Sequence, residues 1–126
     1  MLRVEVSNRS GAEVDADAAV ELTRSVLAHE GVSTGDIGIA FVAPAEIRAL
    51  KREHLGVDES TDVLSFPIDG RDKLPDGVPR QLGDVVLCPQ VVGDAWRQPL
   101  VHGLLHLLGY DHGREMAGRE RSLLDT

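Results

Sequence analysis

The stretch His102-Gly103-Leu104-Leu105-His106-Leu107-Leu108-Gly109-Tyr110-Asp111-His112 holds three of the five histidines of the chain. From Leu100 to Leu108 every residue is apolar or glycine except His102 and His106, so the segment reads as a buried helix. Two residues four apart share one helix face, with Cβ atoms about 6 Å apart. Their imidazoles can converge on one metal ion. Gly109 can adopt the left-handed conformation that ends a helix and turns the chain back. That turn can deliver His112 to the same ion. Three neutral imidazoles suit zinc, and three protein ligands leave a fourth position for water, the pattern of a catalytic site. Burying three histidines without a metal would leave several ring nitrogens needing partners.

The spacing His-x3-His-x2-Gly-x2-His is similar to the metzincin protease signature in its histidines and its glycine. Those proteases place a glutamate, the general base, directly after the first histidine. Here that residue is Gly103, which cannot accept a proton, so peptide hydrolysis by that route is disfavoured. Cys88 could in principle close the fourth position, but its apolar surroundings give no reason to expect it. His29 and His54 are isolated near the ends of charged helices and read as surface residues.

Working outward, Leu2, Val4 and Val6 alternate with Arg3, Glu5 and Ser7, the period of a half-buried strand. Asp15 is placed to cap a helix from about Ala16 to Glu30, with Ala19, Leu22 and Val26 on its apolar face, Leu27 at the edge of that face, and Gly31 at its end. Ile37, Ile39 and Phe41 mark a second strand. Pro44 opens a second helix whose stripe is Ile47, Leu50, His54 and Leu55, and Gly56 stops it. Thr61–Pro67 and Gly83–Cys88 read as third and fourth strands around a long loop, Asp69–Gln81, rich in Gly, Pro and charge. A helical stretch begins near Gln90 and is kinked or restarted by Pro99. A final amphipathic helix runs from about Arg114 to Leu124. This order predicts an α+β fold, a four-stranded mixed sheet packed with helices.

The 126 residues fit one domain, 1–126, and 42% of them are hydrophobic, enough for a core. Only four residues are aromatic, so Leu, Val, Ile and Ala must fill that core. Thirteen Lys and Arg against 21 Asp and Glu leave a net charge of −8. That balance argues against a broad basic nucleic-acid face and against a membrane-surface protein. It leaves open a small local basic rim from Arg48, Lys51 and Arg52, or from Arg71, Lys73 and Arg80. One cysteine excludes an internal disulfide and is compatible with a reducing compartment. With no apolar leader core and no run of roughly 20 apolar residues, a cytoplasmic protein free of the membrane is expected.

Three ordered segments, HGLLHLLGYDH at His102–His112, TDVLSFP at Thr61–Pro67 and LGDVVLCP at Leu82–Pro89, resemble the motifs of the YbeY family of bacterial endoribonucleases and rRNA maturation factors. The tail is similar too, with Glu115, Met116, Glu120, Leu123 and Leu124 at the usual spacing. The resemblance implies a zincin-like (metalloprotease-like) metal helix in a single metal-dependent hydrolase domain. It implies one Zn²⁺ on His102, His106 and His112 plus water. It implies single-strand-specific endonuclease activity on rRNA, in 16S rRNA 3′-end maturation and ribosome quality control. The partners it implies are single-stranded rRNA and the small ribosomal subunit or its proteins. Asp111 and Asp84 are candidates to orient a ligand imidazole from behind. Two positions depart from the family pattern. Leu55 stands where many members carry an arginine, and the stretch from Cys88 to His102 is several residues shorter than usual. A second reading, favoured by the acidic charge, is a zinc-stabilised assembly factor that binds rRNA or ribosomal protein without cleaving RNA.

Overall fold

A computed structural model describes residues 1–56, 61–110 and 114–124. The strands are β1 (Leu2–Asn8), β2 (Gly35–Phe41), β3 (Val63–Pro67) and β4 (Gln81–Leu87). The helices are α1 (Ala16–His29), α2 (Pro44–Leu55), α3 (Pro89–Val92), α4 (Arg97–Leu107) and α5 (Arg114–Leu124). The strands form one sheet in the order β1-β2-β4-β3. β1, β2 and β4 run parallel, and the edge strand β3 runs antiparallel to β4, pairing Val63 with Leu87 and Pro67 with Gly83. The expected mixed four-stranded sheet is what forms.

Local chemistry sets the element ends. The Asp15 carboxylate accepts from the Ala18 amide at 3.0 Å and caps α1. Pro44 occupies the first turn of α2, where its missing N–H costs nothing, and Gly56 closes that helix with φ +71°. Pro99 falls in the first turn of α4 for the same reason, and the helix restarts there, at Arg97, as one of the two expected outcomes had it. The stretch near Gln90 is the single turn α3, ended by Gly93.

Strand alternation divides the core into two faces. Ile37, Ile39, Phe41, Val85 and Leu87 join Ala19, Val26 and Leu27 of α1, Leu100, Leu104 and Leu105 of α4, and Met116 and Leu123 of α5. The other face is smaller: Val42, Leu64, Val86 and Cys88 meet Ile47 of α2. Leu55 departs from its expected place in the α2 stripe and is 59% exposed. It lies on the last turn of α2, past Ile47, the one residue of that helix that is buried, and borders a cleft instead. His54 is also exposed, with its ring edge-on to Phe66 at 5.0 Å. Among the described residues no helix is long and apolar enough to cross a membrane.

Candidate metal centre

α4 packs on β3 and β4 and against α1 and α5. It comes close to the sheet because its second turn carries Gly103. A Cβ there would lie 2.7 Å from Val85 Cγ1 and 3.2 Å from Val63 Cγ2. Ser65 of β3 donates its hydroxyl to the Gly103 carbonyl at 3.1 Å. Beside this contact opens a cleft of about 450 Å³, lined by Leu55, Asp62, Val63, Ser65, Gln98, Pro99, His102, His106 and Glu120.

His102 and His106 meet in that cleft. Their rings lie 4.7 Å apart and nearly perpendicular, and the two Nε2 atoms are 3.2 Å apart. The other nitrogen of each ring is spoken for. His106 Nδ1 lies 2.9 Å from the Tyr110 carbonyl, which can only accept, so Nδ1 carries the proton. His102 Nδ1 lies 3.4 Å from Glu120 Oε1, a close contact without hydrogen-bond geometry to an oxygen that is otherwise unpartnered among the described residues. His106 therefore turns a bare Nε2 lone pair toward His102 Nε2, and the two nitrogens sit this close only with a proton of His102 or a cation between them. A tetrahedral zinc ion with bonds of about 2.0–2.1 Å holds its nitrogen ligands about 3.3 Å apart. The donor types, the separation and the acceptors behind each ring all fit that ion.

The turn after α4 has the geometry its glycine suggested. Gly109 sits at φ +97°, its amide bonds to the His106 carbonyl, and the Tyr110 amide reaches back to the Leu105 carbonyl. These two bonds make a Schellman closure. They also aim the Tyr110 carbonyl at His106. His112 and Asp111 lie outside the described residues. Among those that are described, no third His, Cys, Asp or Glu joins the pair.

The remaining candidates are placed elsewhere. Asp84 alternates with Val85 on β4 and faces the side of the sheet that carries α2, where it lines a separate cleft with Gly38, His54 and Phe66. Cys88 is buried on that same side, with its thiol 3.7 Å from Gln90 Oε1. His29 is exposed at the end of α1, beside its own Ser25 carbonyl. Arg71 and Arg80 are tied to Glu30 and to the Gly70 carbonyl. No Lys or Arg is among the described residues lining the histidine cleft. Sequence reasoning missed the Tyr110 carbonyl, the contact of Glu120 with His102, and Ser65. Each acts through a contact that only the fold creates.

A second polar cluster stands behind the histidines. Glu30, the residue that ends α1, has a side chain only 2% exposed. Its carboxylate accepts from the Tyr110 hydroxyl at 2.7 Å, from Arg71 at 2.9 Å, and from Arg119. Burial alone would raise its pKa, but the hydrogen bonds from Arg119 and Tyr110 and the charges of Arg119 and Arg71 outweigh it and hold the carboxyl below its ordinary value. A depressed carboxylate stabilises the fold above its unfolded pKa, and that contribution disappears as pH falls through the folded value. Urea unfolding of wild type and Glu30→Gln should therefore show their largest stability gap near neutrality. The gap should shrink on acidification below about pH 4.

The chain matches the family model described as Endoribonuclease YbeY over residues 5–126. It is 36% identical to the Endoribonuclease YbeY of Rhodococcus opacus, over 98% of this chain and 81% of that protein. It is 38% identical to that of Acidothermus cellulolyticus, over 99% and 88%, and 34% identical to that of Salinispora tropica, over 99% and 92%. The first of these alignments runs over 146 positions, more than the 126 residues of the chain, so that relative carries residues this one lacks. Among solved structures, the fold is similar to the solution structure of TM1509 from Thermotoga maritima, with a TM-score of 0.59 at 23% identity, over 99% of this chain and 87% of that one.

Proposed function

The chain belongs to the endoribonuclease YbeY family, and from that premise we propose that it is a zinc-dependent, single-strand-specific endoribonuclease. Its proposed role is 16S rRNA 3′-end maturation and ribosome quality control in the cytoplasm, performed by one domain over 1–126. The carrying observation is the pair of Nε2 atoms 3.2 Å apart, each on a ring whose Nδ1 faces an acceptor. His102 and His106, with His112 from the chain beyond Tyr110, would hold the ion. Zinc at such a site acidifies water and polarises a phosphoryl oxygen.

The protein groups do the positioning. The Tyr110 carbonyl keeps the proton of His106 on Nδ1, and the Glu120 carboxylate stands 3.4 Å behind Nδ1 of His102. Ser65 pins the first turns of α4 to the edge strand, so both rings sit on a rigid element. Asp111 is the proposed carboxylate behind His112. Asp84 faces the opposite side of the sheet from the pair, so any part it plays is at another surface.

His102 and His106 line a cleft beside α4, a helix that the sheet and its neighbouring helices already hold. A chelator is therefore expected to stop cleavage of a single-stranded rRNA fragment while the far-UV circular dichroism and melting curve stay close to those of the untreated protein. A chelator that melts the fold instead supports a structural metal. That is the second reading, a zinc-stabilised factor that binds rRNA or ribosomal protein. The net charge of −8 and a cleft with no described Lys or Arg favour it over other rivals.

A further inference from the structure

We infer that Glu30, which touches neither histidine, is the positioning residue that sets the aim of both. The inference rests on the reading of the pair as metal ligands, and its first measurement needs no metal. The same buried carboxylate holds the two segments whose oxygens face the Nδ1 atoms of the histidines. One oxygen receives the Tyr110 hydroxyl, while the carbonyl of that tyrosine faces His106 Nδ1. The other receives Arg119, and the next residue, Glu120, faces His102 Nδ1.

The coupling is geometric. Tyr110 is held at its amide by the Leu105 carbonyl and at its hydroxyl by Glu30, so the residue is anchored at both ends and its carbonyl stays near His106. Adjacent residues on a helix are rotated by about 100°. Arg119 can therefore anchor α5 toward Glu30 while Glu120 points to α4. Fixing Arg119 fixes the roll of α5 about its axis, and with it the direction of the Glu120 carboxylate. Arg71 is the internal contrast. It shares the Glu30 carboxylate and also donates to the Glu30 carbonyl at 3.0 Å, but it comes from the loop between β3 and β4 and leads to neither histidine. A purely structural ion cluster would weigh the three donors alike. A positioning device separates them.

The test compares Glu30→Gln, Tyr110→Phe and Arg71→Gln with wild type. In the metal-free proteins, at a pH where the rings are neutral, long-range ¹H–¹⁵N spectra of the imidazoles report the tautomers. Wild type is expected to show His106 protonated at Nδ1 and His102 at Nε2, with that proton shared across the 3.2 Å contact. Glu30→Gln and Tyr110→Phe should both show mixed tautomers, and Arg71→Gln the wild-type pattern. Zinc affinity, measured by competition with a chromophoric chelator, should fall about 10–100-fold in Glu30→Gln, less in Tyr110→Phe, and stay unchanged in Arg71→Gln even where its melting temperature drops. Tyr110→Phe and Arg71→Gln keep the test decisive if Glu30→Gln does not fold. Tautomers that are unaltered in Glu30→Gln, or shifts in Arg71→Gln as large as those in Tyr110→Phe, overturn the inference. A wild type that binds no zinc but shows the expected tautomer pattern would sink the metal reading and leave the role of Glu30 standing.

Discussion

His102→Ala is expected to lose bound zinc and RNA cleavage together, while keeping its fold. The substitution removes one of two Nε2 atoms that converge within 3.2 Å. It also strips the buried Glu120 Oε1 of its one described polar contact. Removing a group that merely orients a metal ligand costs about 10–100-fold in affinity or activity, so losing a ligand itself should exceed 100-fold and bring cleavage to background. The fold has no comparable stake in this ring. Its side chain is 29% exposed, and alanine is the best helix former for a position inside α4. Metal analysis of the purified variant, cleavage of a single-stranded rRNA fragment and a melting curve check the three parts separately. Full cleavage by this variant, in a preparation free of contaminating nuclease, would overturn the mechanism. Lost cleavage with zinc retained would move His102 from ligand to another role.

How much of this site can be read from the chain alone depends on the range of the interaction. His102 and His106 are four apart, so helix periodicity suffices to bring them together, and Gly109 announces the turn that follows. The same local rules locate Asp15, Pro44 and Gly56 at helix ends. Periodicity also says that Asp84 and Val85 face opposite sides of β4. It does not say which side receives α4, because that follows from the strand order β1-β2-β4-β3 and from which helix crosses which face. Asp84 therefore looked as close to the histidines as any residue of that strand. Leu55 fits an apolar stripe by spacing and is exposed because its turn lies past the buried part of α2. Glu30, Tyr110, Arg119 and Glu120 are joined over spans of eighty residues or more, or across two packed helices, and no spacing rule reaches that far. The acidity of the chain has a local face as well. Glu120 and Asp62 line the cleft, so a divalent ion meets a favourable field there, and an RNA phosphate does so only once that ion is in place.

Gly103→Glu, which would recreate the His-Glu pair of the metzincin signature, is expected to destabilise the protein strongly and not to yield a peptidase. The position is buried, and even a methyl group there would lie 2.7 Å from Val85 Cγ1, 3.0 Å from Ser65 Oγ and 3.2 Å from Val63 Cγ2. Val85 is fully buried on a central strand, and its β-branched side chain has no free rotamer to retreat into. For Gly103→Ala, a gain of about 1 kcal/mol in helix propensity offsets part of an overpacking cost of about 1–3 kcal/mol. The result is a small net loss. Glutamate adds three more heavy-atom shells and a carboxylate with no partner between α4 and the sheet, and an unpaired buried charge costs several kcal/mol more. A net loss of about 3 kcal/mol or more is a large share of the roughly 5–15 kcal/mol that a domain holds in reserve, and corresponds to a drop of about 10 °C or more in Tm. Thermal melts of the alanine and glutamate variants, with a peptide-substrate assay on whatever folds, measure this directly. A glutamate variant that melts like wild type would show that the space between α4 and β3 is wider than these contacts allow. Otherwise the glycine is there because the helix that carries the histidines must lie against the sheet, and the chemistry of the cleft has to do without a base at that position.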